Sequence, residues 1–298
     1  QIMIEKTLQA TGNMIFPMLS QLFGAIVNII FDPLLIFGIG IFPEMGVLGA
    51  AIATVFGQFC GMAFCLCILF FKNNEVKVSF KHFKLNGSTL KSIYVVGFPS
   101  VIMQSIGSVM IIGLNAILAV SEAAVTVLGI YYKLQSFVFM PCFGLNQGVM
   151  PIIGYNYGAK NRRRLKEILS FAYKFECGLG LLLTILLSLA ARPMIRIFMK
   201  DNTIVSLGVP MLRMQLLGMV FVAIVLVTTC TFQSAGMARN AFLLSISRQG
   251  VIFAIVLAIA SHTIGYQGIL LSQAISDLLT AVLAIALYRT SVAKELHT

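Results

Sequence analysis

Tryptophan is absent from the 298 residues, histidine occurs three times, and ten acidic side chains face 21 lysines and arginines. Charged residues make up only 10% of the chain, where soluble domains carry roughly 25%. With 59% hydrophobic residues and a mean hydropathy of +0.96, that scarcity excludes an ordinary water-soluble domain. His82, His262 and His297 are scattered, so no metal cluster is expected. The six cysteines (Cys60, Cys65, Cys67, Cys142, Cys177, Cys230) lie in apolar runs without metal-ligand spacing and read as small packing residues. Paired aspartates, a Ser/His constellation and Asp-rich metal motifs are missing at mid-membrane, which excludes a membrane-embedded protease or prenyltransferase. A passive channel lacks a filter repeat. No leader with a basic start and small-residue cleavage site is visible, and residue 1 is Gln, so the natural start is expected to lie upstream.

What the chain does hold is apolar length. A helix needs about 20 apolar residues to cross a bilayer. Eight segments qualify, near residues 13–38, 47–71, 92–118, 123–150, 168–191, 204–231, 238–262 and 267–289. The fold class is therefore all-α integral membrane. Basic residues collect in alternate connections: Lys72, Lys77, Lys81, Lys84 and Lys91 after the second segment, and Lys160, Arg162, Arg163, Arg164 and Lys166 after the fourth. Arg239 follows the sixth, and Arg289 and Lys294 the eighth. By the positive-inside rule these connections and the C-terminus are cytoplasmic, in a multi-pass protein of the cell membrane. Arg192, Arg196 and Lys200 break the alternation and are assigned to a short amphipathic interfacial turn. The net charge of +11 resides in these loops, so the expected partner is the bilayer and not nucleic acid.

The first segment contains Asn28-Ile29-Ile30-Phe31-Asp32-Pro33. A carboxylate is costly inside a membrane and usually faces a bundle interior or a water cavity. Asn28 and Asp32 are four residues apart and share one helical face. They read as half of a buried polar site whose other half lies elsewhere. An internal repeat is also visible. Leu8-Gln9-Ala10-Thr11-Gly12 returns as Phe232-Gln233-Ser234-Ala235-Gly236, and residues 46–54 return as 268–276, at nearly constant offset. Both copies start on the same side, so the repeat is parallel. A complete unit then has six helices in about 220 residues, and only the last two of the first copy are present. The expected organisation is residues 1–71 as the end of the first bundle, 72–91 as a basic cytoplasmic linker, and 92–298 as a complete second bundle with its tail. About four helices are expected to be absent from the front.

Several stretches resemble the multidrug and toxic compound extrusion (MATE) transporters, most closely the prokaryotic multidrug branch. They are Asn28 to Pro33, residues 46–54, Gly97-Phe98-Pro99, Pro151 to Ala159, and Phe232 to Gly236 continuing to Ser247-Arg248-Gln249-Gly250. The resemblance implies two six-helix bundles around a central cavity and export of organic, mostly cationic drugs in exchange for H⁺ or Na⁺. The segments match family helices five to twelve. It also implies a first-bundle cation site that includes Asn28, Asp32 and Thr54. Asp32 binds H⁺ or coordinates Na⁺ through oxygen, while Asn28 and Thr54 supply neutral ligands. The alternative is a structural Asp32, hydrogen-bonded to backbone beside Pro33. No metal is expected beyond Na⁺ at Asp32, and no cofactor beyond the coupling ion. The family's helix-seven carboxylate falls near Gly107, and residues 92–118 hold no Asp or Glu, so a second-half Na⁺ site of carboxylates is not expected.

Other polar residues form a candidate cavity or polar network. Lys133 is deep in its segment, with Gln104 and Gln135 in its expected neighbourhood, serving either as counterion or as structural hydrogen-bonding group. Asp277 is either a second titrating group or a cap for a neighbouring helix through Arg248. Lys174 and Glu176 are expected at the interface, near the cytoplasmic end of their helix. Pro151, Gly154 and Gly158 are expected to break a helix, with Tyr155 and Tyr157 in an interfacial belt. Fifteen Met and 23 Phe suit an adaptable drug cavity and ordinary packing equally well. The reading is a monomeric secondary active multidrug transporter, not an enzyme. The alternatives are a lipid-linked oligosaccharide flippase of related architecture and an inactive truncated fragment.

Overall fold

The computed structural model describes residues 1–40, 42–71, 86–118, 122–198, 202–264 and 266–293. Among the described residues there are helices and turns and no strand. The helices are α1 (Ile2–Ala10), α2 (Ile15–Ile36), α3 (Gly46–Phe71), α4 (Gly87–Leu118), α5 (Glu122–Gly158) and α6 (Arg162–Leu189). Then come α7 (Ala191–Phe198), α8 (Asn202–Leu216), α9 (Met219–Ser234), α10 (Ala238–Ile246), α11 (Ile252–Ile264) and α12 (Tyr266–Tyr288). Among the described residues, five helical stretches are long and apolar enough to cross a membrane, and α8 with α9 makes a sixth that is bent by 42°. The chain is a multi-pass α-helical membrane protein. It divides into two compact units, Gln1–Leu85 and Asn86–Thr298.

In the first unit, α2 and α3 pack through small residues. The buried stripe of α3 is Gly49, Ala53, Gly57, Gly61, Cys65 and Leu69, about one residue per turn. Small side chains let helix backbones approach closely where lipid supplies no hydrophobic drive between helices. A Cβ on Gly57 would lie 2.6 Å from the Gly24 carbonyl oxygen, and one on Gly24 would lie 2.9 Å from the Gly57 carbonyl oxygen. Beside this crossing the Ser20 hydroxyl donates to the Gly61 carbonyl at 2.8 Å. At the other end a side chain at Gly49 would strike the Leu35 carbonyl. The resulting antiparallel register places Ser20 by Gly61, Gly24 by Gly57, and therefore Asn28 by Thr54.

In the second unit one cluster holds Ile195, Val205, Met211, Leu216 and Phe253, and a larger one holds Ile153, Leu165, Leu169, Phe232 and Leu244. The segment expected at 204–231 is interrupted at Leu217–Gly218, where the Gly218 N–H folds back onto the Gln215 carbonyl at 3.2 Å. The segment expected at 238–262 passes through a π-helical turn, Ser247–Val251, between α10 and α11. Helix α5 runs to Gly158 and includes Pro151. The expected break within 151–159 therefore comes only at its end. There Lys160 takes φ +53° and Asn161 caps α6, accepting from the Arg164 N–H at 3.2 Å. Helix α4 begins before residue 92 because the Asn86 side chain accepts from the Ser88 N–H at 3.0 Å, an N-cap interaction. Amphipathic α7 buries Ala191 and Ile195 and exposes Arg192 and Arg196. Residues 72–85 of the expected linker, with Lys200, Lys294 and His297, lie outside the described residues.

The two copies of the sequence repeat make the same turn. Gly12 and Gly236 take φ of +82° and +74°, a region open to glycine without strain. After each, the next N–H reaches back five residues, Asn13 to the Leu8 carbonyl at 3.2 Å and Met237 to the Phe232 carbonyl at 2.8 Å. This is a Schellman-type closure, and Leu8 and Phe232 are both fully buried.

Candidate functional site

The register of α2 on α3 builds a polar site in the first unit. The Asn28 amide nitrogen donates to Oδ1 of Asp32 at 3.3 Å and to Oγ1 of Thr54 at 3.4 Å. The Thr54 hydroxyl in turn donates to the Ala50 carbonyl at 2.9 Å. Asp32 is half-buried and, among the described residues, has no ion-pair partner. Pro33 sits inside α2 and has no N–H, so the Ile29 carbonyl loses its helical partner. A carboxylate and an amide one turn apart on α2 are thus linked to a hydroxyl on α3, with Asn28 and Asp32 half-buried and Thr54 exposed. Hard oxygen donors of this kind suit H⁺ or Na⁺. Asn28, Asp32 and Thr54 are brought together in one hydrogen-bonded cluster.

The second unit contains a cavity of about 290 Å³ between α5, α9 and the π-helical turn, lined by Asn146, Gln147, Thr229, Gln233, Arg248 and Gln249 among others. The π-helical turn aims two successive side chains, as such turns often do at functional sites. Arg248 is 8% exposed; its Nε donates to Oδ1 of Asp277 at 2.9 Å and its guanidinium lies 5.8 Å from the Phe139 ring centroid. Gln273 donates to both Asp277 oxygens at 3.3 Å, and the Ser276 hydroxyl donates to the Arg248 carbonyl at 3.0 Å. A Cβ on Gly218 would lie 3.0 Å from Oδ2 of Asp277, so this carboxylate rests against the break where α9 begins. The ion pair therefore ties α12 to the π-helical turn and to the bend between α8 and α9. Gln249 lies against Gly107, where a Cβ would be 3.2 Å from its Oε1. An amide from the π-helical turn thus lies beside Gly107 of α4.

The remaining candidates fall elsewhere. Lys133 is exposed and Gln135 is buried, so the two present to different faces of α5. The side chain of Gln104 lies outside the described residues. Glu176 corrects the interfacial expectation. It is fully buried, in the inward stripe Leu165, Leu169, Ala172, Glu176 and Gly180 of α6, and neither carboxylate oxygen has a hydrogen-bond partner among the described residues. The stripe is legible in the sequence as a spacing of three or four. What hid it was the apolar character of α6 on its other faces too, so that no face announced itself as inner.

The MatE family model matches residues 98–260. The chain is similar to the multidrug export protein MepA of Staphylococcus haemolyticus (strain JCSC1435), 28% identical over 288 residues, covering 95% of this chain and 61% of that protein. It is likewise similar to MepA of Staphylococcus aureus (strain NCTC 8325 / PS 47), 29% identical over 287 residues with the same coverage. An outward-facing multidrug resistance MATE family transporter of the MOP superfamily superposes with a TM-score of 0.85 at 25% identity, over 95% of this chain and 63% of that one. A Vibrio cholerae MATE transporter, VcmN, superposes with a TM-score of 0.86 at 19% identity, over 98% and 65%. The chain spans about three fifths of the length of the curated relatives it matches.

Proposed function

The chain belongs to the MatE family, and on that premise we propose that it works in the export of small organic drugs, cationic ones among them, from the cell. Export is exchanged for H⁺ or Na⁺ by alternating access across the cell membrane. The observation that carries this reading is the Asn28 amide shared between Asp32 and Thr54. An ion arriving at Asp32 neutralises the carboxylate and competes with the Asn28 hydrogen bond. Because Asn28 also bridges α2 to α3, loading the site changes the packing of that helix pair. A ligand shifts a conformational equilibrium only through such a difference in contacts between states. The cavity lined by Asn146, Thr229, Gln233 and Gln249 offers hydrogen bonds without fixing one substrate shape. The basic loops support a cytoplasmic C-terminus, and a monomer suffices for this mechanism.

A flippase for lipid-linked oligosaccharide pyrophosphates wants unpaired cations in its cavity. Among the described lining residues the cation is Arg248, which is engaged by Asp277. That favours the drug exporter. The test is drug export from vesicles carrying the intact gene product, with a proton or sodium gradient imposed in turn. Export should follow one of the gradients and lose that dependence in Asp32→Asn. Wild-type coupled export by Asp32→Asn overturns the role of Asp32.

A further inference from the structure

Among the described residues, Glu176 is the buried carboxyl without a hydrogen-bond partner, and the proposed mechanism leaves it unused. Helix α6 is 28 residues long, and Glu176 stands about 21 Å along it from Arg162, near the middle of a membrane-crossing helix. Its exposure is 0%, and both carboxylate oxygens are without a hydrogen-bond partner among the described residues. Native proteins rarely leave a buried polar atom unpaired, and each case asks for a reason. Packing alone would be served better by an apolar residue of similar volume, as at Leu165 and Leu169 in the same stripe.

Among the described residues, no cation pairs with Glu176. From α5, the Cys142 thiol lies within electrostatic reach, and on α6 itself so does Cys177. Tyr173, one turn earlier, has its hydroxyl 2.8 Å from that of Thr228 on α9. Helix α9 presents no charged residue, and the sole ionisable group in its span, Cys230, donates to the Asn146 carbonyl. The one charged residue of α8, Arg213, donates to the Ser188 carbonyl three turns further along α6. The cations of α7, Arg192 and Arg196, lie beyond the end of α6 and are exposed. Lys174 is on α6 two residues away, a spacing that does not share a face.

The helices around Glu176 are held at close range on both sides. One turn before it is the Tyr173 to Thr228 contact. One turn after it, a Cβ on Gly180 would lie 3.5 Å from the Met219 carbonyl oxygen, and further on the Thr184 hydroxyl donates to the Leu216 carbonyl at 3.2 Å. An anionic Glu176 cannot stay in that seam unhydrated, because desolvating a lone charge costs far more than the contacts around it return. Water must enter, and α6 and α9 must part to admit it. The protonation state of this one group is therefore tied to whether the α5, α6 and α9 seam is closed or wet. On its far side the same seam backs the cavity, since Phe143 and Val225 line it next to Cys142 and α9.

We infer that Glu176 is the proton-binding carboxyl of the second unit, holding a proton while the seam is closed and releasing it to water when the seam opens. In the closed state the group is a neutral acid. On opening, its O–H bond breaks, the proton leaves to an entering water, and the carboxylate is hydrated until a proton from the outer aqueous phase reprotonates it. The inference rests on the transport reading and adds a proton step in the second unit, whichever ion Asp32 takes.

The test uses the intact gene product and Glu176→Gln, which keeps shape and packing but cannot exchange a proton. Infrared difference spectra of the wild type on drug addition should contain a carboxyl C=O band that responds to drug and vanishes in Glu176→Gln. Proton release into weakly buffered solution on drug binding should fall by about one proton per protein in the variant, as linkage between drug and proton requires. Absence of that band from the wild type overturns the inference. So does a band that ignores drug while Glu176→Gln releases wild-type numbers of protons, because Glu176 is then a static neutral group. If drug does not bind at all, the export reading fails. A pH jump on the wild type and Glu176→Gln then decides Glu176 separately: reversible loss of the band at high pH supports it, and an unchanging band overturns it.

Discussion

Nε of Arg248 lies 2.9 Å from Oδ1 of Asp277, and both side chains are almost completely buried. The pair joins α12 to the π-helical turn, and Asp277 also rests against Gly218 at the bend before α9. A buried ion pair contributes little net stability of its own, but losing one partner strands the other. Asp277→Ala or Arg248→Met alone should lower the stability of the second unit by about 3–5 kcal/mol. The double variant Arg248→Met with Asp277→Leu should recover most of that loss. Thermal unfolding in detergent measures both, and equal instability of the single and double variants would contradict the pairing.

Asn28 donates to Asp32 and Thr54 at once, so its removal costs two hydrogen bonds of roughly 1 kcal/mol each, an upper bound of about thirtyfold on the shift in ion response. If Na⁺ drives export, Asn28→Ala loses a ligand and more Na⁺ is needed for half-maximal export. Thr54→Val loses one of the two bonds to Asn28 and should shift the response less. An unchanged ion dependence in both variants would remove Asn28 and Thr54 from the site.

Gly24 and Gly57 approach so closely that a Cβ on Gly57 would lie 2.6 Å from the Gly24 carbonyl oxygen. Gly57→Val should push α2 from α3, lower the unfolding temperature and break the Asn28 to Thr54 contact. Overpacking of this kind costs typically about 1–3 kcal/mol. Ion dependence should weaken even though Asp32, Asn28 and Thr54 are all present. Gly144→Ala, where a Cβ meets nothing within 4 Å, is the control and should behave as wild type. Measuring ion dependence and unfolding temperature together separates loss of register from loss of fold.

The fold was largely legible because hydropathy is additive along the chain. Each of the eight expected segments is occupied by helix, and the repeat of Leu8 to Gly12 at Phe232 to Gly236 marks two turns of one geometry. The bend at Gly218 and the π-helical turn at Ser247–Val251 were not legible. Both depend on which neighbouring backbone groups replace lost helical hydrogen bonds, and apolar segments look alike whether straight or broken.

The sequence by itself determined that the chain crosses a membrane repeatedly and that Asn28 and Asp32 share a face. Helical period and apolar length are local properties, so no neighbour can alter them. Only the tertiary structure decided between the two readings of Asp277, which pairs with Arg248, and sealed Glu176 inside the second unit without a hydrogen-bond partner among the described residues. In a water-soluble protein the polar face of a helix shows which side is buried. In this chain lipid-facing and protein-facing sides are both apolar, and burial is set by the inter-helix register, which close contacts such as Gly24 on Gly57 define.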